Sequence, residues 1–266
     1  MNFTWLDSNS WLIEIGEQRI LIDPWLIGDL TFNNLDWLFK GSRTQDRSIP
    51  DKIDLILLSQ GLEDHAHPPT LKQLNKNIPV VVSPNAAKVV KQLGYQQIIN
   101  LNHGETFTLN HHIEIKAFPG SPIGPTLLEN GYLLKDLANN STLYYEPHGY
   151  HSPQLQEIAP IDVVITPIID LSLTLLGPII KGMNSALELV KSVKPEFILP
   201  TAAGGDIFFE GILIKFLQTR GNTAEFQTLL ENNNLTTKVI NPHPGEKVSV
   251  CIMEKSTIEN TDKTKK

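Results

Sequence analysis

A single cysteine, Cys251, in 266 residues leaves no intramolecular disulfide to close and no thiolate set for a structural zinc. So few thiols suit a reducing compartment, and the cytoplasm is the expected location. The surrounding "VSVCIME" has strand character, which predicts a buried, inert thiol. Basic charge is scarce as well. The formal net charge is -7, and Lys and Arg do not cluster before the last dozen residues. A phosphate backbone needs a basic face, so nucleic acid is not an expected partner. No apolar run is long and unbroken enough to span lipid. The most apolar window, "VVITPIIDLSLTLLGPII", is interrupted by Pro167, Asp170 and Pro178, whereas a span needs roughly 20 largely uninterrupted apolar residues. It reads as an apolar loop or buried connection. The opening "MNFTWLDSNSWLIEI" lacks the basic and apolar regions of a secretory leader. Serine-hydrolase elbow, P-loop and dinucleotide fingerprints do not occur, nor does a solenoid repeat.

What the chain does have is enough apolar side chain, 41%, for a sizeable core. "FTWL", "SWLIEI" and "RILIDP" alternate at a two-residue period around turn residues and predict an antiparallel meander. "GDLTFNNLDWLFKGSRTQDRSIPDK" has no sustained period and reads as a long excursion of the kind that walls a binding site. "IDLILLSQ" is a continuous apolar run, as in a strand buried on both faces. In "SPNAAKVVKQLG", Ser83 is placed to cap a helix, Pro84 to begin it and Gly94 to stop it. Further strands follow between Ile98 and Tyr145. Helices then alternate with strands: "SPQLQEIA", "NSALELVKSV" and "NTAEFQTLLENN", the last with Asn222 and Glu225 at capping-box spacing. The two halves share one plan, strands followed by helix and strand units. Two sheets face to face with helices outside, a four-layer αββα sandwich, is the expected α/β architecture. One domain over 1–252 and a polar, frayed tail over 253–266 complete the organisation.

The chemistry centres on "LLSQGLEDHAHPPTL", where a buried strand runs into Asp64 and His65, with His67 two residues on. Taken alone, an Asp-His pair is a structural hydrogen-bonded pair or a solvated turn. His103, His111, His112 and His243 lie in turns and read as surface residues, and Glu63 as an outer or solvent-facing carboxylate. "TAAGGDIFFEGILIKF" reads as a loop followed by an amphipathic packing element. Trp25, Phe32, Trp37, Phe208 and Phe209 are candidates to wall an apolar pocket.

"FTWLDSNSWLIEIGEQRILIDPWLIGD", with Asp23, Pro24 and Trp25, resembles the opening of the metallo-β-lactamase superfamily, in particular its lactonase and phospholipase-like branch. The resemblance implies the superfamily's fold and a metal turn of the form H-x-H-x-D-H. Here the register gives Gln60, Gly61, Leu62, Glu63, Asp64 and His65, so only the last two ligands match. Asp7 and Ser8 replace an expected Gly-His pair. Ser121 and Thr201 stand where later histidines are expected, and "YYEPHG" brings His148, or Glu146 with a one-residue slip, to the acidic bridging position. The implied centre is a reduced one: a single divalent ion, zinc before others, on Asp64, His65 and His148. Asp64 and His65 would be catalytic. Glu146, His67, His151, Gln60 and Asp206 are further candidate ligands or supporting groups, and Asp23, Trp25, Ser121 and Thr201 would line the pocket. The implied activity is hydrolysis of an ester, lactone or phosphodiester in a small-molecule or lipid-like substrate. The alternative is a catalytically silent member that keeps the pocket for a small ligand or protein partner, with Gln60 and Leu62 marking the lost chemistry.

Overall fold

The computed structural model describes residues 1–124, 126–174 and 177–252; the expected tail over 253–266 lies outside the described residues. Seven strands form the first sheet in the order Lys247–Ser249, Asn2–Trp5, Trp11–Ile15, Gln18–Ile22, Leu55–Leu58, Val80–Val82 and Ile98–Asn100. The first four are antiparallel, as the meander required, and the rest run parallel to Gln18–Ile22. The opening and last strands pair edge to edge: Asn2 lies opposite Ser249, and the Met1 ammonium donates to the Val250 carbonyl at 3.0 Å.

The second sheet repeats the plan in the order Lys238–Val239, Phe197–Pro200, Val163–Thr166, Thr142–Tyr145, Leu127–Asp136, Ile113–Ile123 and Thr106–Leu109. The last four are antiparallel and the first three parallel to their neighbours. Phe3, Trp11, Ile13, Tyr132, Tyr145 and Leu199 fill the space between the sheets. Helices Pro68–Gln73 and Ala86–Gln92 cover the outer face of the first sheet through Leu71, Ala86 and Val90. Met183–Val193 and Thr223–Asn232 cover the second through Leu187, Val190 and Phe226. This is the αββα sandwich. No helix among the described residues is long and apolar enough to cross a membrane.

Local signals held unevenly. The forward half of the capping box is present: the Asn222 side chain accepts the Glu225 amide at 3.0 Å, while the Glu225 carboxylate takes the Asn222 side-chain amide at 2.7 Å in place of its backbone N–H. Ser83 does not cap; its hydroxyl donates to Asn85 Oδ1 at 2.6 Å and orders the turn from which Ala86–Gln92 starts. Helix Pro68–Gln73 follows the histidine turn unanticipated, with proline at the positions where a missing N–H costs nothing. "SPQLQEIA" tightens into a 3-10 turn, Pro153–Glu157. The apolar window expected to be a loop or buried connection forms a hairpin, Asp170–Leu173 with Gly177–Ile180, joined by Leu217–Arg220. Cys251 is exposed rather than buried: it follows Val250, whose backbone bonds to Met1 end the edge pairing.

The excursion after Gly28 contains Leu30–Thr31 and Lys40–Arg43, which pair with Ile207–Glu210 as a small three-stranded sheet. Ile207 turns inward against Trp25 and Leu30, while Phe208 and Phe209 stay 60% and 41% exposed. The segment is therefore a strand on an outlying sheet and not the packing element its composition suggests. Trp37 is likewise exposed, whereas Phe32 stacks on Phe39 and Phe39 on Phe209.

Candidate metal centre

The turns that leave the ends of four core strands meet over the middle of the sandwich. Trp5 leads to Asn9, Ile22 to Asp23, Leu58 to the Ser59–His65 turn and Tyr145 to Glu146–His151. The last turn passes so close to the neighbouring chain that a Cβ at Gly149, where φ is +78°, would lie 1.6 Å from the Lys181 carbonyl oxygen. Only glycine fits there.

Asp23 anchors the centre from below. Fully buried, its carboxylate accepts the Ser59 amide at 2.8 Å, the Ser59 hydroxyl at 2.5 Å and the Tyr145 hydroxyl at 2.6 Å. It also accepts His65 Nδ1–H at 2.8 Å. Because a carboxylate only accepts, this contact places one ring proton on Nδ1 and leaves Nε2 facing outward. Nε2 lies 3.1 Å from Asp64 Oδ2 and 3.4 Å from Asn9 Nδ2. A carboxylate behind the far nitrogen of an imidazole is the usual support of a metal-binding histidine.

His148 is held the same way. Its Nδ1 lies 2.8 Å from both oxygens of buried Glu129, so Nε2 is its free nitrogen. The rings of His65 and His148 stand 5.1 Å apart between centroids. Asp64, His65 and His148 each offer a ligand atom, all within 4.8 Å of one another. Asp64 Oδ1 is buried without a hydrogen-bond partner among the described residues. Glu146 sits behind His148, where it accepts the His148 amide at 3.2 Å, the Tyr150 amide at 2.9 Å and the Gly149 amide.

Charge is arranged accordingly. Burial works against an imidazolium at His65, but Asp64 and Asp23 outweigh it and hold the ring protonated well above the ordinary histidine range. Burial would push Asp64 up, yet His65 and His148 outweigh it and hold this carboxyl below its usual value. Burial and the neighbouring charge of His65 push His148 down to about 4, leaving it neutral. Burial raises Glu129 to about 7, and burial together with Glu129 raises Glu146 well above the carboxyl range. A cationic proton therefore occupies His65 beside an anionic Asp64 and a neutral His148. That is the charge pattern a divalent cation would replace.

The match that names the fold family covers most of the chain: the description "Beta-lactamase superfamily domain" fits residues 2–202. The chain belongs to the metallo-β-lactamase superfamily. A metallo hydrolase from the hyperthermophilic archaeon Ignicoccus hospitalis superposes with TM-score 0.65 at 17% identity, over 93% of this chain and 97% of its own. The isothiocyanate hydrolase from Delia radicum gut bacteria does so with TM-score 0.68 at 16% identity, over 94% and 99%. At that identity the likeness is one of fold. The chain is also 34% identical over 95 residues to cytidine monophosphate-N-acetylneuraminic acid hydroxylase of Cricetulus griseus, a match over 34% of this chain and only 17% of that protein.

Against the superfamily's expected ligand positions, Gln60 is buried with its Oε1 unpartnered among the described residues, and Leu62 is 41% exposed. Ser121 lies beside the centre, its amide donating to Glu129 at 3.1 Å. Thr201 is tied to the sheet instead, accepting Trp11 Nε1–H at 3.0 Å and donating to the Ser8 carbonyl. Trp25 is buried under the Arg43 guanidinium, which stacks 4.1 Å from its ring. Asp206 does not reach the cluster; it pairs with Arg47. Glu63 accepts the exposed Asn33 amide at 3.1 Å. His151 approaches the back of the cluster, with Nδ1 3.7 Å from Glu146 Oε2. Sequence reasoning missed Glu129, Ser59, Asn9 and Tyr145. The one signal for Glu129 was a carboxylate beside Asn130 inside the apolar strand "LLENGYLL".

His67 faces away from the centre. It is buried, with Nδ1 3.0 Å from the Thr70 hydroxyl and Nε2 3.1 Å from the Asp29 carbonyl. Burial lowers it to about 4 from 6.5. Between those values the unfolded chain binds the extra proton, so this group's contribution is complete above about 6.5 and lost as pH falls toward about 4. At about 1.4 kcal/mol per pH unit, the loss over the whole interval is on the order of 3 kcal/mol. Glu129, raised to about 7, acts in the opposite sense over part of the same window. The measurement is therefore a comparison of slopes. The urea midpoint of His67→Gln is expected to fall less steeply between pH 6.5 and 4.5 than that of the wild type.

Proposed function

We propose that the protein is a metal-dependent hydrolase built on a single cation position formed by Asp64, His65 and His148, acting on an ester, lactone or phosphodiester. The observation that carries this reading is the pair of carboxylate-backed imidazoles, Asp23–His65 and Glu129–His148. With Asp64, whose Oδ1 is unpartnered among the described residues, each ring offers one ligand atom to a common space, where a cation would displace the proton of His65. Two imidazoles and one carboxylate fit a divalent ion of the zinc class and leave a position open. A bound ion of that kind supplies an acidified water as nucleophile and polarises the scissile bond.

The protein's own groups orient and charge the site. Asp23, fixed by Ser59 and Tyr145, holds His65 in one tautomer. Asn9 Nδ2 lies beside Nε2, where it can donate to an incoming oxygen. Glu129 sets the ring of His148. Exposed Phe208, on the small sheet, and exposed Trp37, in the turn between two of its strands, suit a substrate with an apolar portion.

The test is the metal content of the purified protein and its melting temperature on titration with zinc, manganese and iron(II), followed by assays with p-nitrophenyl esters, a lactone and bis-p-nitrophenyl phosphate. At least one equivalent and a rise in melting temperature are expected, both lost in Asp64→Asn. Gln60 and Leu62 at expected ligand positions favour the silent, ligand-binding reading. That reading takes over if metal content stays well under one equivalent and no cation shifts the melting temperature.

A further inference from the structure

The chain leaving strands Asn2–Trp5, Val163–Thr166, Phe197–Pro200 and Lys238–Val239 surrounds a hollow beside the Asp7–Asn9 turn. It encloses about 300 Å³, and Trp5, Ile168, Pro200, Pro242 and Pro244 wall it. Its described lining shares no residue with the Asp64, His65 and His148 cluster. The link between the two is Ser8, which precedes Asn9 and whose carbonyl accepts the Thr201 hydroxyl and the Ala202 amide, each at 3.2 Å.

Three prolines and an isoleucine make rigid apolar walls. Trp5 adds ring surface rather than a donor, because its Nε1–H is already given to the Ser8 carbonyl at 3.0 Å. Gly205, at φ +54°, leaves room around that ring: a Cβ there would lie 3.0 Å from it and 1.9 Å from Asp7 Oδ1. The polar groups of the lining stand elsewhere. Thr223, Asn241 and His243 reach it from partly or fully exposed positions, and none of their side chains is hydrogen-bonded among the described residues. Thr201 differs, since Trp11 and Ser8 take up its hydroxyl. Asp206 is the one carboxylate lining the hollow among the described residues, and Arg47 pairs with it.

We infer that this hollow binds an uncharged planar N-heterocycle of the nucleobase class. A flat ring matches hydrocarbon walls with its faces and carries its donors and acceptors at its edge, where the amide of Asn241 can both donate and accept and the imidazole of His243 stands free. An anion would meet Asp206 with no lysine or arginine in the described lining. A cation would have to displace Arg47 from Asp206. The volume lies at the lower limit of small-molecule sites, which suits a ligand of one or two rings.

Proton–nitrogen correlation spectra of the full chain, titrated with adenine and with nicotinamide, test this. The protein has four tryptophans, and Trp5→Phe and Trp37→Phe assign the two indole N–H signals that matter. A saturable shift of the Trp5 signal, with that of Trp37 unmoved, is expected, at a dissociation constant of about 1 mM or tighter for ligands this small. Asn241→Leu, in an exposed turn, removes the edge partner and is expected to weaken binding about 10-fold. Benzoate, planar but anionic, and cyclohexanol, neutral but not planar, are expected to leave the Trp5 signal in place. That comparison uses the wild type alone, so it decides even where a variant folds poorly. No saturable shift with either heterocycle would overturn the inference, as would a shift matched by cyclohexanol or an affinity unchanged in folded Asn241→Leu. No metal is added, so the outcome is independent of the proposed centre.

Discussion

His65→Ala is expected to lower the affinity of the proposed centre for a divalent cation by three orders of magnitude or more and to bring any hydrolytic turnover to background. The size of the effect follows from the position of this ring. It is the link between Asp23, beneath the centre, and Asp64, at its mouth, with contacts of 2.8 Å and 3.1 Å. With the ring gone, two ligands remain where three are needed. Asp23 keeps Ser59 and Tyr145 as donors, so the fold is expected to survive. Asp23→Asn is the graded companion. It keeps the shape but no longer fixes the tautomer of His65, and supports of this kind are worth roughly 10- to 100-fold in affinity. Calorimetry with zinc on the three proteins, alongside circular dichroism, measures both steps. Equal affinity in wild type and His65→Ala would remove His65 from the ligand set.

Asp7→Ala is expected to cost about 3–5 kcal/mol of stability, the range for removing one partner from a buried ion pair. Asp7 is fully buried and accepts Arg43 Nε–H at 2.9 Å and Arg47 at 2.9 and 2.7 Å. It also accepts the Asp206 amide at 3.1 Å. Arg43, with 2% of its side chain exposed, would be left stacked on Trp25 without its hydrogen-bonded carboxylate. This network ties the excursion strands to the turn before Trp11–Ile15, where the superfamily's Gly-His pair is expected. The double variant Asp7→Ala with Arg43→Met should regain part of the loss, because the uncompensated charge is gone. Urea denaturation of the single and double variants decides it. A cost under about 1 kcal/mol would class the network as a surface pair, worth little.

Much of the frame was legible because it is written in local period. Alternation in residues 2–22 and the unbroken apolar run at Leu55–Leu58 reported, respectively, strands in an antiparallel meander and a strand buried on both faces. Capping chemistry at Asn222 worked because both partners lie within one turn. Asp64 and His65 were visible as a local motif, and His148 only through an aligned turn. The support was not visible at all. Glu129 meets His148 across 19 residues, and Tyr145 meets Asp23 across 122. No window of sequence records such contacts. Thr201, Trp25 and Asp206 show the reverse: position along the chain offers them to the site, and only the fold shows the partners they take, a sheet contact, a stacked guanidinium and an arginine. Exposed Phe208 and Phe209 misled for a third reason, since composition reports apolarity and not whether another layer is present to receive it.

The pairing of Asn2–Trp5 with Lys247–Ser249 sets the timetable of biosynthesis. During synthesis Asn2–Trp5 cannot acquire its outer neighbour until Lys247–Ser249 has been made. Through that interval the edge amides and carbonyls of nascent Asn2–Trp5 lack their final partners. Closure across nearly 250 positions is slow in entropic terms. Chaperone dependence during synthesis should therefore concentrate on the first meander rather than on the later helices.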